Sequence, residues 1–272
     1  MDYMLRRILN KLLNYIGVRK FSYINWFATW TFNLRCFDLK TALKLPVYIY
    51  NKVDIIYLNK VRIDSPVIYK GMIRIGCSPM KAHNNTKISH SGTIVFYGPV
   101  EIWGGCIIEG YGILEFGNNV VLGESCKIMC CNHIKFYNYI RVGYECIFMD
   151  TDYHYIINTK TNNIYHNKES VIIGEGTWIA STCKIMKGSI IPKNSIISGG
   201  SLVNKDFSKE DPCQIYVGVP AKPIKGNSRR VFNVKKEDEF DLYFKLHPYE
   251  KNYIVEVDNM DELCLQNFFR KR

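Results

Sequence analysis

From Val171 to Asp206 the chain reads VIIGEGTWIASTCKIMKGSIIPKNSIISGGSLVNKD, and every sixth residue from Ile173 is β-branched and aliphatic: Ile173, Ile179, Ile185, Ile191, Ile197 and Val203. Two positions before each stand Val171, Thr177, Cys183, Ser189, Ser195 and Ser201, nearly all small. A period of six matches neither an amphipathic helix nor a simple hairpin strand, whose apolar repeats follow 3.6 or 2. It matches short three-sided turns, each side a strand of a few residues, stacked so that one aliphatic residue per side fills the axis. Small residues then stand where the backbone bends, because a large side chain does not fit the corner.

The repeat extends upstream with a modification. Inward positions read Phe96, Ile102, Ile108, then Phe116, Leu122, Ile128, then Phe136, Val142, Phe148. Steps within a set are six, but successive sets are offset by twenty, so two residues are added at one corner of each coil, near Glu109–Gly112 and near Cys130–His133. After Phe148 the same corner opens into a long excursion, from about Asp150 to Ser170, before the repeat resumes at Ile173. The register also places Cys106, Cys126, Cys146 and Cys183 two before the last inward residue of their coils, with Ser201 continuing the row. None of these forms a CxxC pair, so the row reads as small corner residues rather than as metal ligands.

The stretch resembles the hexapeptide-repeat acyltransferases, and in particular their sugar O-acetyltransferase branch. Gly174, Trp178, the run Ser201-Leu202-Val203-Asn204-Lys205-Asp206 and the segment Val217-Gly218-Val219-Pro220-Ala221-Lys222-Pro223-Ile224 carry the resemblance. It spans about residues 47–225, with the specific motifs confined to 140–225. The resemblance implies a mainly β fold, a left-handed parallel β-helix forming a three-sided solenoid. The hand comes from the resemblance, since the general rule for parallel crossovers favours the right. It also implies a homotrimer with its sites between adjacent β-helices.

Composition bounds the partners. The 272 residues hold 36 Lys/Arg against 25 Asp/Glu, a net +11, and residues 1–60 hold ten Lys/Arg against three Asp. Such a balance suits polyanions: coenzyme phosphates, a nucleotide sugar or an anionic membrane face. No reader motif points to nucleic acid. Arg6, Arg7, Lys11 and Asn14 interrupt the N-terminal apolar residues, against a secretory signal. Phe21 to Leu34 is charge-free but shorter than the roughly 20 apolar residues a membrane span needs. Ten cysteines in a chain without a signal read as reduced thiols of a cytoplasmic protein.

Three regions follow. Residues 1–45 form an N-terminal helical cap: Leu5, Ile8, Leu9, Leu12, Leu13 and Ile16 share one helical face, Gly17 ends it, and Tyr23, Trp26, Phe27, Trp30 and Leu34 repeat the spacing. Such a pair either covers the open end of the solenoid or rests as a basic, aromatic surface, through residues 1–35, on the inner face of a membrane. Residues 46–225 form the β-helix with the 150–170 loop. Its first strands are expected at 47–50, 53–56, 61–63, 67–69 and 73–75, with a break over 77–90 marked by Pro79, Asn84 and Asn85. Residues 226–272 form an α-containing extension, with a helix over 232–246 whose apolar contacts are Phe240, Leu242 and Phe244.

Acetylating a hydroxyl requires a base, and histidine titrates near neutrality. Six are present: His83, His90, His133, His154, His166 and His247. The resemblance assigns the base to His154, in a loop just before a coil that opens with Gly174 and reaches Trp178. Asp152 is the nearest candidate to orient its ring, with Asp150 or a backbone carbonyl as alternatives. His166 shares the loop without matching a motif. For acetyl-CoA, the resemblance points to Trp178, Ala180, Gly199, Gly200, Lys205, Pro220, Ala221, Lys222 and Lys225. Gly199 and Gly200 admit close approach of the pantetheine arm, and the lysines offer point charges to phosphates. Ala180 stands where the family usually has glycine. No P-loop or dinucleotide fingerprint suggests ATP or NAD.

The reading is an acetyl-CoA-dependent O-acetyltransferase acting on a sugar hydroxyl in surface polysaccharide or glycolipid assembly, with no metal. The alternatives are an N-acetyltransferase acting on a nucleotide-linked amino sugar and a non-catalytic β-helix scaffold. A zinc lyase on the same helix needs three histidines at ligand spacing, and His133 and His154 do not make three.

Overall fold

The computed structural model describes residues 24–78, 85–256 and 259–265. The helix expected over residues 1–18 and His83 lie outside them. The remainder is a three-sided parallel β-helix. One face is a nine-stranded sheet running from Val47–Ile49 to Ile215–Gly218 through parallel partners, closed by the antiparallel strand Ala221–Lys225. The second and third faces form an eleven-stranded sheet, joined by the long strands Val53–Ile63 and Thr86–Phe96. Thr86–Phe96 pairs with Ile107–Gly110 on the second face and with Ile113–Phe116 on the third.

Those long strands correct the expected early segments. Val53–Ile63 is one strand rather than two, and Val67–Tyr69 is not a strand. The pairing of Val53–Ile63 with Thr86–Phe96 slips between Ile55 and Tyr57 and again between Leu58 and Lys60. Such bulges bend a strand, here across an edge of the prism, without ending it. In the next coils the same edge is a true corner. Gly110 has φ +128°, and a Cβ there would stand 1.9 Å from the Cys130 carbonyl oxygen of the coil stacked on it. The two added residues therefore mark the point where one continuous strand becomes two.

The inward positions are filled as the period requires. Ile173, Ile179, Ile185, Ile191, Ile197 and Val203 are all buried, as are Phe96, Phe116, Phe136 and Phe148. Phe96 stacks on Phe116 at 5.4 Å and Phe116 on Phe136 at 5.3 Å, nearly parallel, and Phe148 meets Phe136 edge-on at 5.0 Å. Equivalent positions one coil apart bring like side chains together, so a repeated Phe becomes a column.

The cysteines form a column too. The thiols of Cys106, Cys126, Cys146 and Cys183 each lie 3.1 Å from a backbone carbonyl of the following coil: those of Gly123, Gly143, Ala180 and Ser198. All four are buried, and all ten cysteines are free thiols. The neighbouring Cys126 thiol, and then burial, push Cys146 up to about 12. Burial keeps the four sulfurs away from solvent. Where the row reaches serine, the Ser201 hydroxyl accepts the Gly218 N–H at 3.1 Å.

Helix α1 (Trp26–Cys36) and the short helix α2 (Leu39–Ala42) lie over the first coil. Asn25 caps α1 by accepting the Ala28 N–H. The face turned to the coil buries Phe32 in the core and sets two polar side chains against the end strand. Asn33 donates to the Val47 carbonyl at 2.7 Å and accepts from its N–H at 3.2 Å, and Thr29 accepts the Ile49 N–H at 3.0 Å. These groups belong to Val47–Ile49, the end strand among the described residues, and a buried unpaired backbone group is costly. At the other end, helix α3 (Val234–Leu246) occurs where expected, with Phe240 against Tyr253 at 6.0 Å but Leu242 and Phe244 exposed. Helix α4 (Met260–Leu265) follows.

Candidate functional site

The excursion after Met149 begins with a buried carboxylate. Asp150 accepts the backbone N–H groups of Cys131 at 2.7 Å and Asn132 at 2.8 Å, and so caps the corner of the preceding coil. Asp150 is thereby committed to the backbone. The chain then pairs Thr151 with Lys168 and runs out as a small hairpin, Ile156–Ile157 against Ile164–Tyr165. It returns as Val171–Ile173 beside His133–Phe136. The core continues beneath, so the loop is an extrusion from one edge and not a break in the solenoid.

His154 stands at the base of this hairpin, exposed, with its backbone N–H on the Asp152 carbonyl at 2.7 Å. It borders a recess of about 260 Å³ lined also by Asp152, Ile156, Tyr165, His166 and Lys187. Among the described residues its imidazole has no hydrogen-bond partner. The Asp152 carboxylate is paired with Lys187 at 2.6 Å. The Lys187 ammonium also donates to the His166 carbonyl at 3.0 Å. His166 Nδ1 lies 2.7 Å from the Lys168 carbonyl oxygen and 3.1 Å from its backbone nitrogen. Lys187 is the residue the sequence reading missed, although a signal existed: it falls two after the inward Ile185, as Asp150 falls two after Phe148, at the same edge one coil on.

The residues assigned to the coenzyme gather elsewhere. Ala180, Gly199 and Gly200 lie on the edge between the first and second faces, after Trp178–Ile179 and after Ile196–Ile197. On this edge a Cβ on Gly123 would stand 2.5 Å from the Gly143 carbonyl oxygen, and one on Gly143 would stand 2.6 Å from the Ser181 nitrogen. Coil stacking itself demands glycine there. At Gly199 the demand is gone: the nearest atom to such a Cβ is the Ser181 carbonyl oxygen at 3.5 Å, an ordinary contact, and Gly199 is exposed. Gly200 has φ +72°. Ala180 donates to Ile197 and accepts the Cys146 thiol, so its backbone is fully used.

Pro220, Lys222 and Lys225 are exposed on the returning strand and its turn, where Val219–Pro220 is cis, and Ala221 is buried. Lys205 lies apart from these, past the second face on the edge that carries Lys187 one coil earlier, with its ammonium 5.7 Å from the Phe207 ring. Trp178 is half-buried on the outward side of the first face, between Arg141 and Ile196. Its ring is covered by the Arg230 guanidinium at 4.7 Å, and it packs beside Phe232 and Val121. The C-terminal extension thus folds back on the first face of its own chain.

No protein-family model and no curated protein matches the sequence. Several solved structures are similar in shape. AntD, an N-acyltransferase from Bacillus cereus in complex with dTDP and 3-hydroxybutyryl-CoA, is 17% identical, covering 77% of this chain and 98% of its own at a TM-score of 0.42. The polySia-specific acetyltransferase NeuO is 20% identical over 77% and 91%, TM-score 0.36. The polysialic acid O-acetyltransferase OatWY is 16% identical over 82% and 98%, TM-score 0.35. All three scores lie below 0.5, so the chemistry of this chain rests on its own residues.

Two groups therefore emerge on one prism. The edge between the second and third faces carries His154, Asp152, His166 and Lys187. The opposite side, made of the first face and its edge with the second, carries Trp178, Ala180, Gly199 and Gly200. Among the described residues no cluster of three or more His, Cys, Asp and Glu side chains is set to hold a metal ion.

Proposed function

We propose that the chain is an acetyl-CoA-dependent O-acetyltransferase acting on a sugar hydroxyl, with His154 as general base. The observation that carries the reading is the exposed, unpartnered imidazole of His154 at a polar recess, on a loop extruded from the hexapeptide helix at the place the sugar acetyltransferase resemblance assigns to the base. A free ring nitrogen in a recess open to solvent is available to take the proton of an incoming hydroxyl. The hydroxyl oxygen then attacks the thioester carbonyl, and backbone N–H groups stabilise the tetrahedral oxyanion. Collapse expels the thiolate, which takes the proton from imidazolium. Transfer is direct, in a ternary complex.

Acetyl-CoA fits the opposite side of the prism. The open corner at Gly199 and Gly200 leaves room against the backbone, and Lys222 and Lys225 are exposed for phosphates. Because base and coenzyme corner lie on opposite sides of one copy, a complete site draws them from two adjacent copies, which supports a homotrimer. Surface polysaccharide or glycolipid assembly in the cytoplasm is the setting this chemistry suits. The test is acetyl transfer from labelled acetyl-CoA to a panel of glycans and amino sugars, with product linkage read by base lability. Hydroxylamine-labile product on a glycan supports the reading. Stable amide product on an amino sugar replaces it with N-acetylation, and no transfer despite coenzyme binding replaces it with a binding protein.

A further inference from the structure

Helix α1 has two apolar sides. Its inward face buries Phe32 in the core beside the polar pair Thr29 and Asn33, while Phe27, Trp30 and Leu34, spaced three and four apart, lie on the outer side and are 83%, 40% and 52% exposed. Leu39 and Leu43 of α2 are exposed as well. The inward polar residues are explained by the end strand they satisfy. The outward apolar row stays open to solvent among the described residues, Phe27 most of all, and contiguous exposed apolar side chains mark an interaction surface.

Charge decides between occupants. Arg35, Lys40 and Lys44 stand among these apolar residues, and Asp38 is the only acid between residues 24 and 53. Asp38 is occupied as the cap of α2, accepting the Thr41 N–H at 3.1 Å. Residues 1–23 carry Arg6, Arg7, Lys11, Arg19 and Lys20 against Asp2 alone, so covering the row with that segment, or with a second copy of α1, sets cation against cation. An anionic lipid surface pairs with both. Aromatic side chains with adjacent basic residues suit the headgroup boundary, and no helix among the described residues is long and apolar enough to cross a membrane.

We propose that the Phe27–Trp30–Leu34 row docks the chain in the plane of an anionic membrane surface, with Arg35, Lys40 and Lys44 against lipid phosphates. This is independent of the acetyl-transfer reading. The experiment is flotation of the full chain with vesicles of phosphatidylcholine alone and of phosphatidylcholine mixed with phosphatidylglycerol. Binding is expected only to the mixed vesicles, and it weakens as salt rises. Phe27→Ser/Trp30→Ser/Leu34→Ser lowers it at least tenfold, and Lys40→Ala/Lys44→Ala lowers it roughly fivefold per cation removed. Both variants keep the thermal midpoint and oligomeric mass of the parent. Absence of binding to either vesicle overturns the proposal, as does binding undiminished in the triple serine variant. A fall in the triple variant's thermal midpoint shows the row covered within the chain, and a fall in its mass shows a second copy there; either overturns it.

Discussion

The Asp152 carboxylate lies 2.6 Å from the ammonium of Lys187, which also donates to the His166 carbonyl at 3.0 Å. Asp152 is on the outgoing arm of the extruded loop and His166 on the returning arm. A single lysine from the next coil thus ties both arms to the solenoid, and His154 is positioned between them. Lys187→Met is expected to lower turnover by roughly 10- to 100-fold through misplacement of the loop, with coenzyme affinity unchanged. Steady-state kinetics beside a coenzyme-binding titration checks this, and wild-type turnover in the variant contradicts it.

His154 itself is tested by removal. His154→Ala should lower turnover by about 10²–10⁴-fold while leaving acetyl-CoA binding intact, because the coenzyme corner is on the other side of the prism. Asp152→Asn should cost less. His133→Ala is the clean control: His133 pairs with Glu115 at 2.7 Å on the third face, away from the recess. His166 lines the recess and is therefore unsuitable as a control. Unchanged turnover in His154→Ala removes the mechanism.

The cysteine column should be silent to alkylation in the folded protein. Cys126 is raised well above its ordinary value by the neighbouring Cys106 thiol, only partly opposed by Cys146 and reinforced by burial, so thiolate is scarce and the sulfur is inaccessible. Mass measurement of native protein treated with iodoacetamide should leave Cys106, Cys126, Cys146 and Cys183 unmodified, with full modification after denaturation. A disulfide between column members contradicts the reading.

The phenylalanine column should carry much of the stability of the central coils. Phe116 is stacked between Phe96 and Phe136 with no exposed surface. Phe116→Ala is expected to cost about 3–5 kcal/mol in urea unfolding, against about 1 kcal/mol or less for a change at the exposed Tyr144.

Tyr97 gives the chain a stability loss in alkali. Its phenol donates to Glu115 at 2.5 Å, and that hydrogen bond, with burial and the carboxylate charge, pushes it up to about 12 from 10. The folded state holds this proton more tightly than the unfolded one, so the contribution is complete below pH 10 and is lost as pH rises toward 12. Urea midpoints across that window should fall less steeply in Tyr97→Phe than in the parent. Parallel slopes contradict the coupling.

The period of six placed one buried residue on each face from Phe96 to Val203, but not the second apolar residue two positions earlier, since Val100, Leu114, Val120, Ile134 and Ile140 are buried in the core as well. It also located the edge where residues are added and the loop that follows, since an insertion shifts the register visibly. Local sequence did not reveal which face of α1 meets the coil. Phe27, Trp30 and Leu34 form the longer apolar row, yet the inward face is the one with Phe32, Thr29 and Asn33, because the end strand's N–H and C=O groups need polar partners, a requirement that exists only once the coil is formed. Nor did it reveal that Asp152 faces Lys187, or that Arg230 covers Trp178. Those contacts join segments separated by 35 and 52 positions, and only the stacking of coils and the return of the C-terminal chain bring them within reach.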